Sequence, residues 1–350
     1  MAPSPLPALV FTEQPFQGNP VAILADAGGW VAVGASETGA PAAWTSSDAV
    51  KWTPHPVPDP NAEMREKDGF IGSVMGPMAK WGDTWFSFGT VIGCCDGRGV
   101  LAWRSTDGQA WEVIQSESPL FTDGYYVQQL VAHDGGLVAR EIGFPLYSSR
   151  AWSWTPEDSW VASDLGGFED GASPVLLTGL AWDGQRFVAV GGPFRGDYDA
   201  PPTGGVWLSL DGKRWETTEV PTMSTAQLDS LVALRGGGFL AIGQQDGVPV
   251  AWGSADGRTW EARSLPEDAG LAATQVFQAG DALLALGFGD DRTAAWISVD
   301  GLSWGAPAAL PPLDATRVVA GSADHVVIIG RERTQDGSGS MVLLRASLPD

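Results

Sequence analysis

Two adjacent cysteines, Cys94 and Cys95, have the most distinctive side-chain chemistry in this 350-residue chain, and they are its only cysteines. Neighbouring Cα atoms lie about 3.8 Å apart, below the usual disulfide range of roughly 4.4–6.8 Å, so a bridge between them would be strained. Three interpretations stay open: a pair of inert thiols, which we favour, a vicinal disulfide, and a soft-metal or redox site.

A second group of residues combines a cation, carboxylates and an aromatic ring within residues 191–206. Arg195, Asp197 and Tyr198 form a mixture that suits carbohydrate binding. Asp197 and Asp199 alternate as calcium ligands do, but two carboxylates without the rest of a coordination shell do not predict a metal site. Arg195 to Asp197 also reads Arg-Gly-Asp, which is typical of integrin-binding loops but recurs by chance. The three histidines are scattered without zinc spacing.

These residues interrupt a repeated pattern of short strands. The chain holds 46 glycines, 25 prolines and 17 tryptophans, a composition typical of many strands joined by tight turns. The pattern Trp-x-Ser-x-Asp-Gly-x-x-Trp is complete in four copies, nearly complete in one, where Ala49 replaces Gly, and degenerate in one, from Trp152 to Trp160. Successive closing tryptophans lie 44 to 59 residues apart, the spacing of four-stranded propeller blades; they are Trp52, Trp111, Trp160, Trp215, Trp260 and Trp304.

A hairpin of two apolar strands around a Gly-rich turn precedes each motif. Seven such hairpins occur, at residues 21–34, 78–89, 130–141, 180–191, 231–243, 276–287 and 318–330. The sequence therefore predicts an all-β fold, a seven-bladed β-propeller with four-stranded antiparallel blades. The last blade lacks its fourth strand, which we expect a surplus N-terminal strand at Pro7 to Thr12 to supply. One domain, 1–350, is predicted, with blades at 19–58, 69–117, 123–165, 173–221, 226–265, 271–310, and 315–350 plus 5–14.

The repeated motif resembles the Asp-box, or BNR repeat, of sialidase-like and sortilin-like propellers, and the resemblance covers about six of the seven blades. That family has one further residue between Asp and Gly. The resemblance places the motif on outer turns, away from the central channel. There the carboxylate is expected to accept backbone N–H bonds, Gly to adopt a positive φ and Trp to cover the hairpin. A structural role is therefore predicted for Asp48, Asp107, Asp211, Asp256 and Asp300.

Ligand binding is expected at the central face of the propeller, which the innermost strands and the loops between second and third strands surround. Long segments at 54–72, 89–100, 191–206 and 330–341 reach this face. We expect equivalent positions on the innermost strands to form a ring of Val21, Gly76, Gln129, Thr178, Ser230, Thr274 and Arg317. The predicted ligand-binding residues are Arg65, Cys94, Cys95, Tyr125, Tyr126, Gln129, Arg195, Asp197, Tyr198, Asp291, Arg292, Arg317 and Arg331.

Two functions fit this arrangement. The first, which the sequence favours because it demands fewer groups, is non-catalytic recognition of a glycan, a small molecule or a protein. The alternative is an enzyme of the glycoside hydrolase or lyase type whose site is assembled from loops of several blades. Sialidases share an arginine triad that begins with Arg-Ile-Pro early in the chain. Here no arginine precedes Arg65 and Arg-Ile-Pro is absent, so no catalytic residue is carried over.

The charge and hydropathy of the chain argue against some classes of partner. Lys and Arg number 20 against 42 Asp and Glu, so the formal charge of −22 repels nucleic acid. The apolar runs are strand-sized, which predicts no membrane insertion. No cofactor or metal is predicted, and a monomer is expected. The start of the chain has neither a basic nor an apolar signal region, and we expect an exported protein whose signal was removed, with a cytoplasmic location as the alternative.

Overall fold

A computed structural model describes residues 9–63, 72–92, 100–114, 125–143, 149–156, 160–164, 175–193, 204–266, 270–289, 291–334 and 339–348. The fold is a seven-bladed β-propeller with four-stranded antiparallel blades, which confirms the predicted fold class. The chain divides into two compact units. The three-blade unit comprises Gln17–Leu165 and Asp211–Arg214, and the four-blade unit comprises Met1–Phe16, Gly166–Leu210 and Trp215–Asp350.

The strands follow one another along the chain with tight turns or loops between them, and a 3-10 helix spans Pro221–Met223. They are β1 (Thr12–Pro15), β2 (Asn19–Asp26), β3 (Gly29–Ala35), β4 (Pro41–Ser46), β5 (Thr53–Pro56), β6 (Gly72–Val74), β7 (Met78–Trp81), β8 (Thr84–Ile92), β9 (Val100–Ser105), β10 (Glu112–Ile114), β11 (Tyr125–His133), β12 (Gly136–Gly143), β13 (Ser149–Trp154), β14 (Val161–Ala162), β15 (Val175–Trp182), β16 (Phe187–Pro193), β17 (Gly205–Ser209), β18 (Glu216–Thr218), β19 (Ala226–Ala233), β20 (Phe239–Gln245), β21 (Val248–Ser254), β22 (Glu261–Ser264), β23 (Ala272–Ala279), β24 (Ala282–Phe288), β25 (Thr293–Ser298), β26 (Ala308–Leu310), β27 (Leu313–Gly321), β28 (His325–Glu332) and β29 (Met341–Ser347).

The three-blade unit contains the sheets β2 to β5, β6 to β10 and β11 to β14, each ordered as in the sequence. The first strand of blade 2 is broken into β6 and β7, which both pair with β8. At the break, a Cβ on Gly76 would lie 2.2 Å from the carbonyl oxygen of Phe88, so only glycine allows this close approach of the two backbones.

The four-blade unit contains the sheets β15 to β18, β19 to β22 and β23 to β26, and a last sheet ordered β1, β29, β28, β27. β1 completes that last blade, as predicted: Thr12 pairs with Arg345, and Pro15 pairs with Val342. Over the described residues, which begin at Leu9, this strand lies further along the chain than the expected Pro7 to Thr12. Pairing begins at Thr12 because Leu9 and Phe11 instead pack in an apolar cluster with residues such as Ala279.

The first strands of several blades share a β-bulge at the same place. Pairing with the second strand skips one residue after Leu177 and after Leu228, and likewise in three other blades. The skipped residues are Val21, Gln128, Thr178, Asp229 and Thr274. The predicted ring is therefore out of register in three blades, because Arg317 pairs with Gly330 as the residue before the bulge does in other blades. Gln129 and Ser230 lie one position beyond the bulge, and a one-residue shift along a strand turns a side chain to the opposite face.

In five blades, an aspartate closes the turn between the third and fourth strands. Its Oδ1 accepts backbone N–H bonds from the residues two and three positions later, at 2.6–3.0 Å. These bonds hold the pKa of Asp107 and Asp256 below the ordinary value. The following glycine has a φ of 71° at Gly108 and Gly257. The five residues are Asp48, Asp107, Asp211, Asp256 and Asp300.

The apolar core lies between neighbouring blades within each unit. In the three-blade unit, Trp103 of blade 2 packs with Val33 of blade 1. In the four-blade unit, Trp252 of blade 5 packs with Val190 of blade 4. Each of these tryptophans is fully buried, so burial of aromatic and β-branched side chains stabilises the stacking of blades. Within the described part of the chain, no helix has the length and apolar character needed to cross a membrane.

Candidate functional site

Part of the predicted site falls on residues whose structure is not described. The residues outside the described ranges are Arg65, Cys94, Cys95, Arg195, Asp197 and Tyr198. Two others have only a described backbone: Tyr125 pairs with Gly143 in blade 3, and Arg317 pairs with Gly330 in blade 7. Their assignment to a ligand site stays a prediction.

In the three-blade unit, β11 carries two further predicted site residues, Tyr126 and Gln129, which are both half-buried. The Nε of Arg140 on β12 donates a hydrogen bond to Gln129 Oε1 at 3.4 Å. Burial lowers the pKa of Arg140 to about 10, so its guanidinium still carries a positive charge at neutral pH. Gln129 therefore lies beside a charged group that the sequence analysis did not single out.

In the four-blade unit, the loops of blades 6 and 7 carry the other described site residues. Arg331 donates from Nη1 to the carbonyl oxygen of Gly339 at 2.8 Å, within its own loop. Arg333 Nη1 donates to the carbonyl oxygen of Gly289 at 2.6 Å, and the N–H of Gly289 donates to the carbonyl oxygen of Arg292 at 3.0 Å. The structure thus links the loop that holds Arg292 and the exposed Asp291 to Arg333, which follows the strand that holds Arg331.

Asp229, the bulged residue of β19, is not among the residues predicted from the sequence. Gln227 Nε2 donates to Asp229 Oδ1 at 2.9 Å. The other oxygen, Oδ2, is buried and has no hydrogen-bond partner among the described residues. Burial raises the pKa of Asp229 to about 6, although the hydrogen bond from Gln227 opposes the shift. A buried apolar residue stands directly before each such bulge and another stands two positions after it, as Leu228 and Leu231 do here. That spacing is the signal in the sequence that could have identified Asp229.

Polar groups of the neighbouring strand β23 lie beside β19. The N–H of Val276 donates to Ser230 Oγ at 3.2 Å, so the two first strands are in direct contact next to the bulge. Gln275 Oε1, one residue away, is buried and also has no hydrogen-bond partner within the described ranges. Buried acceptors normally find a donor. Asp229 and Gln275 therefore each carry a buried acceptor that lacks a donor among the described residues.

Glu141 on β12 is a second carboxyl group with a raised pKa. The residue is 1% exposed, and its Oε2 accepts a hydrogen bond from Trp152 Nε1 at 2.7 Å. Burial raises the pKa of Glu141 to about 7, against the hydrogen bond and the charge of Arg150. Since its side chain is buried and bonded to Trp152 on β13, we assign it to the packing of blade 3.

A cleft in the three-blade unit, between blades 2 and 3, has a volume of about 610 Å³. This is within the usual range for small-molecule sites. Arg104 and Glu112 pair with each other beside it and are both exposed. The aromatic residues that line the cleft are Trp81, Phe86, Phe88, Trp111, Trp154 and Trp160.

No protein-family model matches the chain, and no curated protein is similar to it in sequence. Solved structures resemble it in fold. The polysaccharide lyase Uly1 has a TM-score of 0.58 at 12% identity, covering 95% of this chain and 90% of the lyase. A protein of unknown function from Dyadobacter fermentans has a TM-score of 0.54 at 14% identity, covering 96% and 98%. The endosialidase of phage phi92 has a TM-score of 0.50 at 10% identity, covering 97% of this chain and 69% of the endosialidase. At these identities the likeness is one of fold alone.

Proposed function

We propose that this propeller is an enzyme of the glycoside hydrolase or lyase type, which cleaves a carbohydrate polymer with Asp229 as its general acid. One observation carries the proposal. Asp229 is a half-buried carboxyl group on the first strand of a blade, with a pKa of about 6 and a buried oxygen that has no partner among the described residues. First strands lie next to the central channel in propellers, where ligands bind.

The chemistry of such a carboxyl group suits both kinds of cleavage. When the bond between a sugar carbon and the bridging oxygen breaks, that oxygen must receive a proton, whether water attacks the anomeric carbon or a base removes a ring proton. A carboxyl group with a pKa near 6 remains partly protonated close to neutral pH, so it can donate that proton. Gln227 holds Oδ1 in place.

The comparisons lend this alternative more support than non-catalytic recognition. Of the structures similar in fold, one is a polysaccharide lyase and another is an endosialidase. We propose in addition that the five Asp-closed turns are divergent Asp-boxes. In support, each carboxylate accepts the paired backbone bonds of a tight hairpin turn, as at Asp107 and Asp256.

Non-catalytic glycan recognition at the central face is the second candidate. The linked loops of blades 6 and 7 favour it, because they present Arg292, Arg331 and Arg333 in one region of the four-blade unit. Arginine binds carboxylates and hydroxyl groups through several fixed donors. Binding of an acidic oligosaccharide without turnover, weakened by Arg292→Ala, is the outcome that this candidate predicts.

The test of the catalytic proposal is Asp229→Asn, assayed on a panel of neutral and acidic polysaccharides. New reducing ends report hydrolysis, and the ultraviolet absorbance of unsaturated products reports a lyase. We expect the variant to lose activity by a factor of about 100 or more. Wild-type activity should decline as pH rises through about 6, because the general acid then loses its proton.

The matched control is Asp281→Asn in the same unit, whose side chain is 95% exposed. We expect this variant to keep full activity. Equal activity in wild type and Asp229→Asn, with both proteins folded by circular dichroism, would show that Asp229 is not the general acid. Absence of turnover on every polymer would overturn the enzyme proposal itself.

A further inference from the structure

Blade 3 differs from other blades at the last residue of its third strand, just before the turn to the fourth strand. In blade 2, Ser105 pairs with Trp85 and its Oγ accepts the N–H of Gly108 at 2.9 Å. The same position in blade 3 is Trp154, which pairs with Leu137. Serine occupies this position in the blades of the five Asp-closed turns: Ser46, Ser105, Ser209, Ser254 and Ser298.

The replacement changes how blade 3 meets blade 2. Elsewhere the glycine of the turn packs tightly on the preceding blade. A Cβ on Gly108 would lie 2.7 Å from Val31, and one on Gly257 would lie 2.6 Å from Val188. Phe86 of blade 2 holds the position equivalent to Val31. Its ring instead lies 5.4 Å from that of Trp154.

Trp154 is part of an aromatic cleft between blades 2 and 3. The ring of Trp154 meets Trp81 edge-on at 5.5 Å and lies 6.3 Å from Trp160. Trp160 in turn meets Phe88 edge-on at 5.1 Å. Trp81 and Trp154 are only partly buried. Large aromatic surface is therefore left facing a cavity of about 610 Å³ rather than a neighbouring strand.

The rim of the cleft is polar and electrically balanced. Arg104 Nε donates to Glu112 Oε1, and Thr84, Ser105 and Thr106 contribute hydroxyl groups. Aromatic rings pack against the C–H face of a sugar, while hydroxyl and charged side chains satisfy its hydroxyl groups. A quaternary ammonium ion also binds aromatic boxes, but the paired charges of Arg104 and Glu112 leave no net negative charge at the rim to attract it.

We propose that the blade 2–3 cleft is a carbohydrate-binding site that accepts a neutral mono- or disaccharide unit on Trp81 and Trp154. This inference deepens the proposed function and rests on it only for the class of ligand. Its residues all belong to the three-blade unit, whereas Asp229 belongs to the four-blade unit. Binding at the cleft and cleavage through Asp229 are therefore separable by substitution.

The experiment is titration of the full chain with cellobiose, maltose and arabinobiose, followed by isothermal calorimetry and by ligand-observed NMR. We expect saturable binding of at least one disaccharide. Trp154→Ser restores the residue found in five other blades, and should weaken that binding at least tenfold. If this variant does not fold, the double variant Arg104→Ala with Glu112→Gln, at two exposed positions, should weaken binding at least threefold.

Two variants act as controls. Trp182→Ala removes a tryptophan that packs on Phe187 in the four-blade unit, and Asp229→Asn removes the proposed acid. Both should bind the disaccharide as wild type does. The proposal is overturned if none of the three sugars binds, if binding survives Trp154→Ser in a folded protein, or if tetramethylammonium saturates the cleft in place of a sugar. Loss of activity in Asp229→Asn leaves these outcomes unchanged.

Discussion

Glu141 and the turn aspartates differ in what surrounds their carboxyl groups. Asp107 and Asp256 lie in turns, where paired backbone N–H groups favour the ionised form and lower the pKa. Glu141 lies inside blade 3, where one indole N–H does not compensate for lost hydration, and its pKa rises to about 7. The same residue chemistry therefore makes ionisation favourable at the rim and unfavourable in the interior.

This difference predicts how Glu141→Gln changes the response of stability to pH. Because the pKa of Glu141 rises from 4.5 in the unfolded chain to about 7, the native state binds more protons between these values. The free energy of unfolding then falls as pH rises through this window. Glu141→Gln should remove about 3 kcal/mol of that fall. Urea unfolding at pH 4.5 and pH 8 measures it, and the exposed Glu261→Gln is the control. Parallel pH profiles for wild type and Glu141→Gln would contradict the prediction.

Some single residues of the structure could be predicted from the sequence, and others could not. The repeat identified the turn aspartates, because Ser, Asp, Gly and Trp have fixed spacing. It did not identify Asp229, because the bulge before Ser230 is a property of pairing with β20 and not of composition. Nor did the repeat give Trp154 a role. The degenerate copy of the motif can be aligned with the other copies only when the register places Trp154 opposite Leu137.

At the scale of elements, the hairpins were predictable and their limits were not. Gly-rich turns between apolar runs mark hairpins wherever they occur. The first strands, however, continue across a bulge, as from Ala226 to Ala233 in β19. β1 likewise begins at Thr12 because the apolar residues before it pack as anchors and do not pair. Hydrophobic pattern predicts burial, and burial does not distinguish a paired strand from a packed segment.

The contact between a turn and the preceding blade gives a test at this scale. Gly257 has a φ of 71°, and its Cβ position lies 2.6 Å from Val188. Gly257→Ala should therefore destabilise the protein by about 2–4 kcal/mol, through both backbone strain and overpacking. Gly247→Ala is the matched control, since its φ is 77° but no atom lies within 4 Å. It should lose only about 1–2 kcal/mol. Thermal unfolding of both variants measures the difference, and equal losses would mean that the turn does not pack tightly on blade 4.

At the scale of the whole molecule, an unpaired strand edge would put a propeller at risk of association with other chains. Here β1 covers one such edge. The last sheet is ordered β1, β29, β28, β27, so β29 would be an edge strand without its partner. Phe16 extends the contact, as its N–H donates to the carbonyl oxygen of Met341 at 2.9 Å. Exposed edges pair with other chains. A formal charge of −22 opposes such association through repulsion at low salt.

Deletion of residues 1–15 should therefore expose β29 and bury less apolar surface, since Leu9 is lost from the cluster around Ala279. We expect the unfolding temperature to fall by about 5 °C or more. Because salt screens the negative charge, dimers or larger species should grow as ionic strength rises. Calorimetry and light scattering at low and high salt measure the two effects. Deletion of residues 1–8 keeps β1 and serves as the control. If the 1–15 deletion stays monomeric at high salt and has the same unfolding temperature as the control, β1 does not protect the edge of β29.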